Sequence, residues 1–117
     1  MVTVNCNRMV SNMQRRRNAV FRAVSDPTRR EILSILRSGQ KTVGGIAQNF
    51  RMSRPAISKH VRLLHSAGLV VTKKQGTASV CSLNAKPLRL IGDWLQDYET
   101  FWNESLHGLK KFVEEDR

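Results

Sequence analysis

The first 75 residues contain almost no acid. Asp26 and Glu31 are their only carboxylates, against 15 lysines and arginines, whereas the rest of the chain carries 5 basic and 7 acidic side chains. With a whole-chain balance of +11, such a surface disfavours cationic partners and attracts a polyanion. Cysteine is scarce as well. Cys6 and Cys81 are far apart and in no metal-like spacing, which excludes a disulfide framework and fits a reducing compartment. No apolar run approaches the roughly 20 residues that span a bilayer, so no membrane insertion is expected. No hydrophobic segment follows the N-terminal charges, so no signal peptide is expected and the reading is a cytoplasmic protein. There is no Gly-rich phosphate loop, no metal-ligand cluster, and no nucleophile with a base and an orienter; His60, His65 and His107 are scattered. An enzyme is therefore not expected.

What is present fits one small domain. The chain has 117 residues, 40% of them apolar, enough for a modest core that a dimer would enlarge. Residues 1–12 read as a loose tail and 13–117 as a single domain. A first helix is predicted from about Met13 to Val24, with Val20, Phe21 and Val24 on its apolar face. Arg15, Arg16 and Arg17 at its start are either a solvated helix end or phosphate contacts. Asp26 and Pro27 then open a second helix, the one as cap and the other in the first turn, where a missing N–H costs nothing. Ile32, Leu33, Ile35 and Leu36 are its buried stripe, and Gly39 ends it.

Thr42 is placed to cap a third helix over Val43–Phe50, weakened by Gly44 and Gly45. After the tight Arg51-Met52 connection, Ser53 caps a fourth helix, Pro55 sits in its first turn, and Gly68 stops it. Two helices joined this closely form a helix-turn-helix. The second of them, M-S-R-P-A-I-S-K-H-V-R-L-L, buries Ile57, Val61 and Leu64 and presents Arg54, Ser58, Lys59 and Arg62. Small hydroxyls among cations, with no acid, suit the N-terminal end of a helix entering a major groove about 12 Å wide. Ser58 suits a base edge, Arg54 a bidentate pair with guanine, and Lys59 and Arg62 guanine or phosphate; Arg51 adds a further phosphate contact. His60 falls nearer the inner face and reads as a packed, hydrogen-bonded histidine. Residues 69–83 then alternate as a β-hairpin turning at Gly76, with Val71, Val80 and Leu83 among the packed positions and Lys73 and Lys74 near the tip. A hairpin directly after a recognition helix is a wing.

One long helix is predicted over about 87–113. Leu88, Ile91, Leu95, Tyr98, Trp102, Leu109 and Phe112 recur at spacings of 3 and 4, with Ser105 filling the gap, as a heptad-like seam widened by Trp94 and Phe101. Packing on its own domain alone is the plainer explanation. Five of the chain's seven aromatics on one helix make a face too wide for a small domain to cover, so dimerisation is expected. The fold class is thus mainly α with a small β element (α+β): a winged helix-turn-helix of about five helices with a β-hairpin wing, dimerising through its terminal helices.

The segments F-R-A-V-S-D-P-T-R-R-E-I-L-S-I-L, T-V-G-G-I-A and M-S-R-P-A-I-S-K-H-V-R-L-L-H-S-A-G-L-V, in that order over Phe21 to Leu88, resemble the ArsR-type winged-helix repressors. T-F-W-N-E-S-L-H-G-L-K-K-F-V is similar to the last helix of the SdpR-like autorepressor branch. The resemblance implies a homodimer on double-stranded DNA, blocking transcription at a palindromic operator, usually near its own gene. Recognition helices would stand about 34–36 Å apart. It places base reading on Arg54, Pro55, Ser58 and Lys59; the DNA-binding set expected here also includes Ser53 and Arg62 of the same helix start and face, and Lys73 and Lys74 of the wing. Departures bear on sensing. The C-x-C positions of metal-sensing members fall on Thr42 and Gly44, which offer no thiolate. The D-x-H of zinc-sensing members is missing, although Asp93, Asp97, Glu104 and His107 lie on the last helix; an acidic face of a dimer helix accounts for them. No metal and no cofactor are expected, and Cys6 and Cys81 read as inert thiols. The resemblance leaves the inducer open, whether small molecule, partner protein or none. The alternative is a winged-helix interaction module that works through its aromatic last helix and has only generic DNA affinity. The basic first 75 residues argue against it.

Overall fold

The computed structural model describes residues 2–115, and all their side chains except those of 2–11, 106, 107, 109–112 and 115. The order of elements is α1 (Val2–Val24), α2 (Pro27–Leu36), β1 (Lys41–Thr42), α3 (Val43–Ala47), α4 (Arg54–Ser66), β2 (Val70–Gln75), β3 (Ala78–Leu83), a 3-10 turn (Lys86–Leu88), α5 (Arg89–Gln96) and α6 (Glu99–Glu115). The backbone of α1 is helical from Val2, ahead of the expected start near Met13; the side chains expected to form a tail mostly lie outside the described set.

Apolar stripes at helical spacing build the core. Val20 and Ala23 of α1, Ile32, Leu33 and Leu36 of α2, Ile46 of α3, and Ile57, Val61 and Leu64 of α4 are buried together with Leu69, Val70 and Cys81. The starts of α2, α3 and α4 carry the caps their sequence predicts. Asp26 Oδ2 accepts from the Arg29 N–H at 3.1 Å, Thr42 Oγ1 from Gly45 at 3.0 Å, and Ser53 Oγ from Ala56 at 3.3 Å. At the end of α4, Gly68 adopts φ +81°. Its N–H donates to the His65 carbonyl at 2.9 Å, and the Leu69 N–H to that of Leu64 at 3.0 Å, the closing pattern a left-handed residue permits.

Several expectations need correction. Among the described residues there are six α-helices, because the run over 87–113 is divided: a 3-10 turn, then α5, then α6. The amides of Asp97 and Tyr98 bond to the carbonyls of Trp94 and Leu95, three residues back, and this tightening closes α5 before α6 begins. No glycine or proline marks that break, so a spacing argument passes over it. α3 stops at Ala47 instead of Phe50. Asn49 Nδ2 donates to the carbonyls of Gly45 (3.1 Å) and Ile46 (3.2 Å), ending a helix the glycine pair had already weakened. Between Gly39 and Val43, where the sequence predicts no strand, Lys41 and Thr42 form a third one. β1 pairs antiparallel with β3, Lys41 opposite Cys81 and Thr42 opposite Val80, giving a sheet in the order β1-β3-β2. In β2 it is Val70 that faces the core, while Val71 is exposed, because the strand alternates from its first residue.

The radius of gyration is 19.3 Å. A compact chain of this length has about 13 Å, so the terminal helices reach away from the core they start on.

Candidate nucleic-acid interface

The proposed DNA-facing surface is organised by α4. Its inner residues Ile57, Val61 and Leu64 are buried against α1, α2 and α3, which fixes the rotation of the helix about its axis. That rotation leaves Arg54, Pro55, Lys59 and Arg62 exposed and Ser58 half-buried at the edge. Positions three and four apart share one side of a helix, so these residues form a single outward stripe. Ser53 is committed differently, since its hydroxyl oxygen caps α4. The chain has no Asp or Glu between Glu31 and Asp93, so this stripe and the wing beside it carry no local negative charge.

Arg54 turns toward α3: a β-carbon at Gly44 would stand 3.7 Å from its Cζ. With Thr42, Gly45, Gln48 and Ala78 it borders a cleft of about 590 Å³. Ser58, Arg62 and His65 meet Thr72 and Ser79 of the hairpin around a second recess of about 310 Å³. Recognition helix and wing are therefore parts of one surface. Lys73 and Lys74 are exposed on β2, opposite Val80 and Ser79. As neighbours on a strand they point to opposite faces, so the wing carries a cation on each.

The predicted phosphate contacts are not all in one place. Arg51 is exposed in the connection before α4. Arg15 and Arg16 instead line a groove with Ser66, Ala67 and Gly68, at the far end of α4 from Arg54, and Arg17 lies in a groove with Leu90 and Asp93. A helix of 13 residues is about 20 Å long, so these arginines belong to a separate basic patch.

His60 points away from the outward stripe. Its Nδ1 lies 3.3 Å from Nη1 of Arg29 and 4.0 Å from Oδ2 of Asp26. Among the described residues Asp26–His60 is the only carboxylate–basic side-chain approach within 4.0 Å, and it is an ion pair only when the ring is protonated. The backbone N–H of Arg29 holds the Asp26 carboxyl below its usual range, and the charges of Arg29 and of a protonated His60 push the same way. Sequence reasoning found the Asp26 cap and a packed His60 but missed Arg29 between them. The signal available was the arginine pair after D-P-T, one helical turn into α2. Burial pushes the Cys81 thiol up, while the side chain of Cys6 lies outside the described set. Among the described residues no three His, Cys, Asp or Glu side chains are grouped. Asp93, Asp97 and Glu104 are exposed, and the side chain of His107 is outside that set.

A second surface lies on α5 and α6. Leu88 and Ile91 pack against the domain's own core and Leu95 is half-buried. Beyond them Tyr98 is exposed, as are Phe101 (68%) and Trp102 (51%), an apolar patch that a monomer leaves open to water. The side chains of Leu109 and Phe112 lie outside the described set.

A helix-turn-helix with a basic, acid-free second helix, flanked by a hairpin in a three-stranded sheet, defines a winged helix-turn-helix protein of the DNA-binding class. The profile described as bacterial regulatory protein, arsR family, matches residues 26–72. The transcriptional repressor SdpR of Bacillus subtilis (strain 168) is 40% identical over 81 residues, which cover 69% of this chain and 90% of that protein. The chain belongs to the arsR family of bacterial transcriptional regulators. The crystal structure of an ArsR family transcriptional regulator superposes with a TM-score of 0.71 at 33% identity, over 77% of this chain and 93% of that one. A solution structure from Mycobacterium bovis, described as a homodimeric winged helix-turn-helix DNA-binding domain, shares the fold with a TM-score of 0.60 at 23% identity, over 80% and 87%. Among the described residues no helix is long and apolar enough to cross a membrane.

Proposed function

We propose that this regulator is a cytoplasmic homodimeric repressor that binds a palindromic operator, its own promoter being the first candidate. The observation that carries this reading is the outward stripe of α4, cationic and hydroxylic, beside a wing with a lysine on each face. Lysine and arginine neutralise phosphates and supply salt-dependent affinity. Arg54, Pro55, Ser58 and Lys59 meet base edges, Arg62 meets a base or phosphate, and Ser53 holds the helix end. The exposed aromatics of α5 and α6 supply the contact between two copies, which sets the distance between the two recognition helices. The homodimeric relative of the same fold and the repressor SdpR support the assembly and the sign of regulation. Binding, not bond chemistry, is the whole activity in this reading.

Fluorescence anisotropy tests it, with the duplex upstream of the protein's own gene and a scrambled duplex, each at low and physiological salt. A preference of about a thousandfold for the native duplex at physiological salt is the expected result. Equal binding, seen only at low salt, overturns it and favours an interaction module that uses the α6 aromatics.

A further inference from the structure

The corner between α1 and α2 contains a network that DNA contact does not require. Arg29, half-buried in the first turn of α2, spreads its guanidinium over two other helices. Nε donates to the carbonyl of Ala23 at 2.8 Å and Nη2 to that of Arg22 at 2.9 Å, both on α1. Nη1 reaches Nδ1 of His60 on α4 at 3.3 Å. Arg30 Nη1 donates to the Val24 carbonyl at 2.8 Å, so two arginines bond to the last carbonyls of α1, of which that of Arg22 also accepts from the Ser25 N–H (3.2 Å) and hydroxyl (2.7 Å). A guanidinium only donates, so Nδ1 of His60 accepts and the ring carries its proton on Nε2.

The position of this network is informative. His60 directly follows Lys59 and stands two residues from Ser58. Arg22 and Ala23 directly follow Phe21, whose ring meets Trp94 of α5 at 5.2 Å. A continuous path therefore runs from the aromatic face through α1 to Arg29, then to His60 and the recognition helix. Ile57 and Val61 press α4 onto the core, but apolar contact tolerates small rotations. A planar fork bonded to two helices at once is directional.

We infer that Arg29 is a positioning residue, which acts through His60 to set the angle of α4 against α1 and so the half-site spacing a dimer prefers. The inference rests on the operator reading above, and Arg29 itself touches no base in it. A role confined to capping α1 would leave His60 dispensable.

The experiment separates these roles. His60→Leu removes the acceptor and leaves the bonds from Arg29 to α1; His60→Asn places a carbonyl oxygen near the position of Nδ1. The probes are duplexes enriched by the wild-type protein from a random-sequence pool, and the same duplexes with one base pair inserted between the half-sites. Wild type is expected to discriminate between the spacings by about tenfold or more. His60→Leu should bring that ratio to within about twofold, with an isolated half-site bound as before and the melting temperature little changed, and His60→Asn should restore it. Arg29→Lys, which keeps the charge and loses the fork, should behave as His60→Leu does. Full discrimination by His60→Leu, or an Asn variant as impaired as the Leu variant, overturns the inference. Ring nitrogen-15 shifts give a readout without DNA. They are expected to show the proton on Nε2 in wild type, and a ring protonated on Nδ1 alone would also overturn it. A wild-type protein that enriches no sequence defeats the operator reading and the spacing role with it, while the ring tautomer still reports whether Arg29 holds His60.

Discussion

The ring of Phe21 on α1 meets the indole of Trp94 on α5 nearly at right angles, 87°, with centroids 5.2 Å apart, and the indole in turn meets Tyr98 at 5.2 Å. This edge-on stack joins the first helix to α5, across 73 positions of sequence, and to the connection before α6. Aromatic pairs of this kind contribute about 0.5–1.5 kcal/mol beyond the area they bury. Trp94→Ala is therefore expected to destabilise the fold by about 1–3 kcal/mol, read as a lowered urea midpoint in circular dichroism. An unchanged midpoint would mean that α5 is held by Leu90 and Ile91 alone.

Among the described residues Trp102 has no such aromatic partner, and it is half exposed. Trp102→Glu should leave the monomer folded and abolish the dimer, because the charge would be buried without a counterion. Sedimentation velocity distinguishes the two species, and an intact dimer would remove α6 from the interface.

Arg54 and Lys73 are expected to fail differently. Arg54→Ala should relax sequence preference, at a cost of about 1–3 kcal/mol on the cognate site and little on random DNA. Lys73→Ala should weaken every duplex alike and reduce the salt slope by about one. Anisotropy titrations over a salt series read both, and a Lys73→Ala loss confined to the operator would make that lysine a base reader.

The Asp26 cap predicts an acid limb of stability. The folded carboxyl is held below its usual range by the Arg29 N–H, so its contribution is fully present above the unfolded value. That contribution fades as pH falls from about 4 through the lower folded value. Asp26→Asn keeps a capping oxygen that does not titrate, so it should flatten this limb while staying close to wild type at neutral pH. Thermal melts from pH 7 to 2 provide the comparison, and identical slopes would assign acid unfolding to other carboxylates.

Much of the architecture was legible in local signals. The caps Asp26, Thr42 and Ser53, the prolines behind two of them, and the left-handed stop at Gly68 act over a few residues, and each appears where its chemistry requires. The stripe Ile57, Val61 and Leu64 fixed which side of α4 faces outward, so the outward face of Arg54, Ser58, Lys59 and Arg62 followed from periodicity, while Pro55 was added by the family resemblance. Glycine at 76 and the alternation around it were enough for a hairpin, but not for its register: Val70 and Val71 are equivalent in sequence, and only the core chose between them.

Tertiary structure decided what depends on residues distant in sequence. Lys41 and Thr42 become a strand because β3 offers them free backbone groups, and two residues carry no periodicity of their own. The division between α5 and α6 rests on two tightened amides without a breaker residue to announce them. Arg15 and Arg16 fall at the far end of α4 from Arg54, a separation that charge counting does not see. Arg29 reaches His60 across 31 positions because the α1–α2 corner folds back on the recognition helix. Propensity, capping and amphipathic spacing are short-range energies written in neighbouring residues. Pairing between elements depends on which surfaces the core brings together, and that exists only once the chain has closed on itself.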